Sequence, residues 1–399
     1  MRKGGDEKQQ DKIVSPMPGA VDSCLLILHD WSNDLTLDPK EIDKERGVIN
    51  EEWRTRMSAM QRFQEKLLPA MFAGTKYATC FPIGTMDVVM NFKPQTLRDY
   101  YEKWYRPDLQ GIVVVGDIDV DAVEVQIKKL FANVPAQPNA AKREYYPVND
   151  NKEPIVLIAR DKEQPHIQAI VFNKHKATPD SEKDKIGYLV ENYATNLIGN
   201  MLNARLNELL QEANPPYIYA GSYDGDFFVA KTKQAFTGIV VCKEDAVESG
   251  IATLLREMER ARRFGFTESE YQRARAEYLR NLESAYNERD KRKNDEYINE
   301  YVRHFLDNEP IPGIENEYGI ISQIAPSIPV EPLNMMMQTL VTDTNQVVAI
   351  FGPEKENLKM PTEDAIKKIL QDVKTEELTP YVDKVSDERK DSRTLRSMY

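Results

Sequence analysis

Between Ile155 and Ile350 the chain alternates short β-branched runs with long helical periods, and that order limits the folds open to it. Ile155–Ile158 and Ile167–Phe172 read as two strands joined by a polar turn. A long helix over about Lys183–Gln211 follows, with Ile186, Leu189, Val190, Tyr193, Leu197, Met201 and Leu202 at helical spacing. Strands near Tyr217–Tyr223, Lys231–Thr232 and Ala235–Cys242 precede helices near 245–263 and 267–306, and Val347–Ile350 is a last strand. Few crossover signals separate the strands. The order therefore predicts an α+β fold, a mostly antiparallel sheet backed by helices.

The part before Ile155 reads differently. Val21–Trp31 and Pro39–Leu68 are expected helices, and Thr96–Trp104 is a short helix leading into Gly111–Val115, a buried strand by composition. Asp119 or Asp121 can cap a further helix carrying Val123, Ile127, Leu130 and Phe131 on one face. Pro and Ala then dominate Pro135–Arg143, as in a linker. The domain expectation is residues 1–137, a linker over 138–150, a second domain over 151–383 and a mobile charged tail over 384–399. Residues 1–20 are polar and expected to be poorly ordered.

Charge and cysteine usage exclude several classes. Lysine and arginine number 53 against 65 aspartates and glutamates, and no basic block stands out, so nucleic acid and anionic membranes are not expected partners. Cys24, Cys80 and Cys242 are too few and too scattered for a disulfide framework or a zinc ribbon. No apolar stretch follows the positive start Met1-Arg-Lys, so this chain shows no signal peptide, and no run is long enough to span a bilayer.

The segment from Leu37 to Arg54 carries the chemistry. Asp38 can cap a helix, Pro39 fits its first position and Glu41 has capping-box spacing. Ile42, Ile49, Trp53, Met57 and Met60 define an apolar stripe. At about 100° per residue Glu45 and Glu52 fall together on one edge of that stripe, while Glu51 points away. A helix flank with Glu52 paired to Arg56 one turn on explains this spacing as simply as a ligand does. His29, within Leu25–Trp31, reads as a hydrogen-bonded structural histidine, and Met335–Met337 as core filling.

Glu45-Arg-Gly-Val-Ile-Asn-Glu-Glu52 resembles the downstream motif of the pitrilysin/insulinase family of zinc peptidases, the inverzincins. The likeness continues through Tyr77–Gly84, Tyr100–Asp108 and Val113–Asp119, and is greatest to large, bacterial, two-halved members. The resemblance implies two similar sheet-and-helix domains, the first incomplete here. It implies a zinc site in which Glu52 is the third ligand and Glu45 a supporting carboxylate, with the other two ligands and the general base on a His-x-x-Glu-His helix.

That motif is absent from all 399 residues; the four histidines are His29, His166, His175 and His304. In the family it lies further upstream than the 51 residues preceding Glu52, so the chain is expected to begin after it. A single carboxylate does not hold zinc usefully, and no bound zinc is expected for this chain alone. The family's substrate-clamping arginine and tyrosine, seven residues apart, have counterparts at Leu210 and Tyr217. Leucine cannot donate to a peptide carbonyl, so the substrate-binding residues stay unassigned.

Two functions follow from the resemblance. One is an inactive piece of a zinc metalloendopeptidase that hydrolyses peptides in a closed chamber, partnered by the missing N-terminal segment and a C-terminal half. The other is a non-catalytic subunit pairing with an active homologous peptidase. The compartment is open, with a periplasmic parent as one option.

Overall fold

The computed structural model describes residues 19–80 and 82–383. The polar start up to residue 18 and the tail expected to be mobile, 384–399, lie outside the described residues. The chain divides into two compact units. One contains the described residues up to Glu51 together with Thr85–Arg143 and Asn294–Val302; the other contains Glu52–Gly84, Glu144–Lys293 and the described residues from Arg303 onward.

Before the sheet begins the chain forms α1 (Ala20–Asn33), α2 (Pro39–Arg56), α3 (Ala59–Met71), α4 (Met86–Asn91), α5 (Pro94–Trp104) and α6 (Val120–Phe131). The single helix expected over Pro39–Leu68 is two. Ser58 adopts extended dihedrals and its hydroxyl accepts the Gln61 amide, a cap that starts α3 afresh. The strand expected at Gly111–Val115 is not formed. None of the described residues pairs with it, and a β-branched run without a neighbour cannot satisfy its ladder of amides.

The second unit holds the sheet: β1 (Ile155–Asp161), β2 (Ile167–Lys176), β3 (Tyr217–Asp226), β4 (Lys233–Cys242) and β5 (Gln346–Pro353), in the order β1-β5-β2-β4-β3. Only β1 and β5 run parallel; the other three pairings are antiparallel. Helix α7 (Ile186–Leu209) follows β2. After β4 come α8 (Val247–Phe264), α9 (Glu268–Asn287), α10 (Asn294–Asp307), α11 (Gly313–Ile324) and α12 (Glu331–Leu340), and α13 (Glu363–Thr375) follows β5. The mixed α+β class, with a mostly antiparallel sheet backed by helices, is as expected.

Two apolar layers hold this sheet. Val171, Val240, Val348 and Ile350 meet Leu197, Ile251, Leu254, Met337 and Ile366 of α7, α8, α12 and α13. Alternate residues Ala159, Phe172, Val347 and Ala349 meet Phe63, Leu67 and Phe72 of the α3 segment. The helix expected over 267–306 is broken by a 3-10 turn at Arg289–Lys291. The run 288–296 contains no apolar residue, so no buried face carries the helix through it. Met337 is fully buried, as core filling requires, whereas Met335 is exposed.

Candidate zinc-ligand helix

Helix α2 is built as its first residues dictate. The Asp38 carboxylate accepts the Lys40 amide at 2.7 Å and the Asp38 carbonyl accepts the Ile42 amide at 2.9 Å. Glu41 does not complete the expected capping box; it accepts a 2.6 Å bond from exposed Lys44. Of the apolar stripe, Ile42 is buried, Ile49, Trp53 and Met57 are partly buried, and Met60, which falls beyond the break, is exposed.

Arg46 supplies the polar anchor of the first turns. It is 9% exposed, its guanidinium lies 4.1 Å from the centre of the Phe92 ring, and it donates to the carbonyls of Val89 and Phe92 and to Asp43. That arrangement fixes α2 against α4 and Phe92, the residue that ends it. Beside it is a groove of about 470 Å³ whose lining includes Leu37, Ile42, Arg46, Val89 and Phe92, with exposed Glu45 on its rim.

Glu45 and Glu52 share one helix. Seven residues separate them, so their Cα atoms are about 10 Å apart along the axis and within about 20° around it. One ion cannot take both directly. Glu52 is partly exposed and its Oε1 lies 2.7 Å from Arg56 Nη2, an i,i+4 pair. A metal would have to compete with that guanidinium, whose side chain is 72% exposed and free to swing into water.

The residues matching the substrate clamp face inward. Leu210 packs against the core at the end of α7. Tyr217 is fully buried; burial raises its phenol well above the usual range, and its hydroxyl donates to the Leu206 carbonyl at 2.7 Å. Neither side chain presents a donor to a bound peptide.

Sequence reading missed one convergence. His29 is buried and hydrogen-bonded, as a structural histidine should be, but its ring also meets Asp30 and Asp34. The pattern His-Asp-x-x-x-Asp at a helix C-terminus was the available signal.

The chain is similar to known peptidases over most of its length. Residues 91–278 match the family described as peptidase M16 inactive domain. The zinc protease PQQL-like of Arabidopsis thaliana is 26% identical over 84% of this chain and 32% of its own length. The probable zinc protease PqqL of Escherichia coli is 27% identical over 80% of this chain and 34% of its own. The chain thus spans about a third of the length of these curated relatives. The crystal structure of the first half of the periplasmic protease PqqL from Escherichia coli superposes with a TM-score of 0.81 at 23% identity, covering 92% of this chain and 78% of that one. A predicted insulinase family protease from Yersinia pestis gives 0.69 at 15% identity, over 90% and 74% of the two chains. These likenesses establish the fold, and the match over residues 91–278 together with the curated relatives makes the chain homologous to PqqL-type M16 zinc proteases.

Proposed function

We propose that this chain is a portion of a zinc metalloendopeptidase, comprising the end of one peptidase-like domain up to about residue 137 and a whole second one over 151–383. In that parent Glu52 is the carboxylate ligand of zinc and Glu45 supports it from one turn-pair away. The histidine ligands and the general base come from outside these 399 residues. Zinc-bound water would supply the nucleophile for peptide hydrolysis; this chain's part is to present Glu52 on α2 and to form one wall of the chamber. The observation that carries the reading is the seven-residue spacing of Glu45 and Glu52 on a single helix that Asp38 caps and Arg46 anchors.

Alone, the chain would not hydrolyse peptides. The test is turnover of an unfolded protein such as casein, with zinc added: no chelator-sensitive cleavage is expected, and sustained cleavage abolished by a chelator contradicts the proposal.

A second reading, a non-catalytic subunit paired with an active homologue, is favoured by the inward-facing Tyr217 and Leu210 and by the match to a family described as inactive. Genomic context discriminates the two. An in-frame upstream His-x-x-Glu-His supports the first, and a separate complete partner gene the second.

A further inference from the structure

We propose that His29, Asp30 and Asp34 form a binding site for a divalent transition-metal ion, distinct from the Glu52 site. Expectation from sequence counted Glu52 as the chain's only ligand; the fold of the α1 C-terminus adds three.

His29 is 5% exposed, while the Asp30 and Asp34 side chains are 53% and 52% exposed. Its Nδ1 lies 3.4 Å from Asp30 Oδ1 and 3.6 Å from Asp34 Oδ2, and one ligand atom from each residue falls within 4.8 Å of the others. These separations decide between two readings. A charge-assisted N–H···O bond from an imidazolium would be about 2.7–2.9 Å. Zinc-type bonds of about 2.0–2.2 Å in a tetrahedron put neighbouring ligand atoms roughly 3.4 Å apart. The two imidazole-to-carboxylate separations are longer than such a hydrogen bond and close to the spacing of neighbouring ligands around an ion.

The surroundings orient the donors accordingly. His29 Nε2 faces Asn133 Oδ1 at 3.3 Å. An amide oxygen accepts, so the ring proton belongs on Nε2 and the Nδ1 lone pair points at the carboxylates. Metal-bound histidines are commonly held this way by an acceptor on the far nitrogen. The Phe131 ring, edge-on at 5.3 Å, fixes the imidazole plane. The Asp34 amide donates to the Asp30 carbonyl at 2.9 Å, which keeps the two aspartates together, and Asn33 Nδ2 occupies Asp34 Oδ1, leaving Oδ2 turned toward Nδ1.

Charge points the same way. The last turn of α1 contains no basic residue, so the partial negative charge of its carbonyl end adds to two carboxylates. One imidazole with two carboxylates suits Zn²⁺, Co²⁺ or Ni²⁺ better than Ca²⁺ or Mg²⁺, which prefer oxygen alone. Three protein donors with exposed carboxylates leave a position for water, so the site is open on one side.

The experiment is calorimetric titration of the full chain with Zn²⁺, paired with Co²⁺ absorption as a readout of ligand field. The variants are Asp34→Asn and Asp30→Asn, both at exposed positions, with melting curves to show that each folds. We expect one saturable ion per chain, affinity reduced by about tenfold or more in each variant, and no competition from Ca²⁺. Asp245→Asn, at an exposed carboxylate outside the cluster, should bind as the parent chain does. Absence of saturable binding overturns the proposal, as does binding that both aspartate variants retain. Loss of the ion in Glu52→Gln alone would also overturn it, while supporting Glu52 as the ligand.

Discussion

Arg205 and Glu270 form an ion pair with both side chains almost sealed from water, 2% and 3% exposed. The guanidinium Nε and Nη2 donate to the two carboxylate oxygens at 2.7 and 2.9 Å. Arg205 also donates to the Gly265 carbonyl and lies against the faces of Phe266 and Tyr381. Glu270 meanwhile accepts the Thr267 amide, closing the capping box that starts α9. One pair thus ties α7, the turn into α9 and the chain's last described segment within the second unit.

Removing one partner leaves a buried charge without compensation. Arg205→Ala should destabilise the second unit by about 3–5 kcal/mol, whereas the double change Arg205→Met with Glu270→Leu should cost clearly less. Urea unfolding followed by circular dichroism measures both. Equal losses would mean that packing, not charge, holds this junction.

The pH dependence of stability should carry the signature of another pair. Arg62, on α3, donates through Nε and Nη2 to Asp161 at the end of β1, at 2.5 and 2.6 Å. Chiefly through those hydrogen bonds, and against the opposing effect of burial, the carboxyl is held at about 2 rather than 3.8. A depressed folded value means that the unfolded chain binds the proton first. The stabilisation is therefore complete above pH 3.8 and is lost as pH falls through about 2. Melting temperatures between pH 5 and pH 2 should fall less steeply for Asp161→Asn than for the unaltered chain. Parallel curves would show that Asp161 contributes nothing to acid sensitivity.

Thiol chemistry should separate the three cysteines. Cys24 and Cys80 are exposed, while Cys242 is buried at the end of β4, where burial pushes its thiol up to about 12. A thiolate is the reactive form. An aromatic disulfide reagent at pH 8 should titrate two thiols in the folded chain and the third only after unfolding. Rapid reaction of all three would mean that the β4 end opens easily.

How much of this was legible in the sequence depended on the range of the interactions involved. The strands at Ile155, Ile167, Tyr217 and Ala235 announced themselves because β-branched residues alternate with turn residues over a few positions. The helices α11, α12 and α13 were not singled out, since their apolar faces are short and take meaning from packing against α7, α8, α9 and the sheet. The break at Ser58 is a single hydroxyl capping one amide inside an otherwise continuous helical pattern, a local event that periodicity averages away. Gly111–Val115 shows the converse: strong β propensity produces no strand where no neighbour supplies hydrogen bonds. At the site, the Glu45–Glu52 spacing was readable because a helix fixes it. The approach of His29 to Asn133 was not, because 104 residues separate them and only the packing of α1 on α6 joins them.

The most direct test of the account concerns Glu52 itself. The chain would be joined to a segment carrying a His-x-x-Glu-His helix, in an Asp30→Asn, Asp34→Asn background that weakens metal binding by the α1 cluster. Bound zinc per chain and cleavage of a fluorogenic peptide are then measured together. Glu52→Gln keeps the shape and removes the charge, and should lower zinc affinity and activity by at least about tenfold. Glu51→Gln, on the opposite face of α2, should change neither appreciably. Equal tolerance of both substitutions in an active, zinc-loaded protein would contradict the assignment of Glu52 as the ligand.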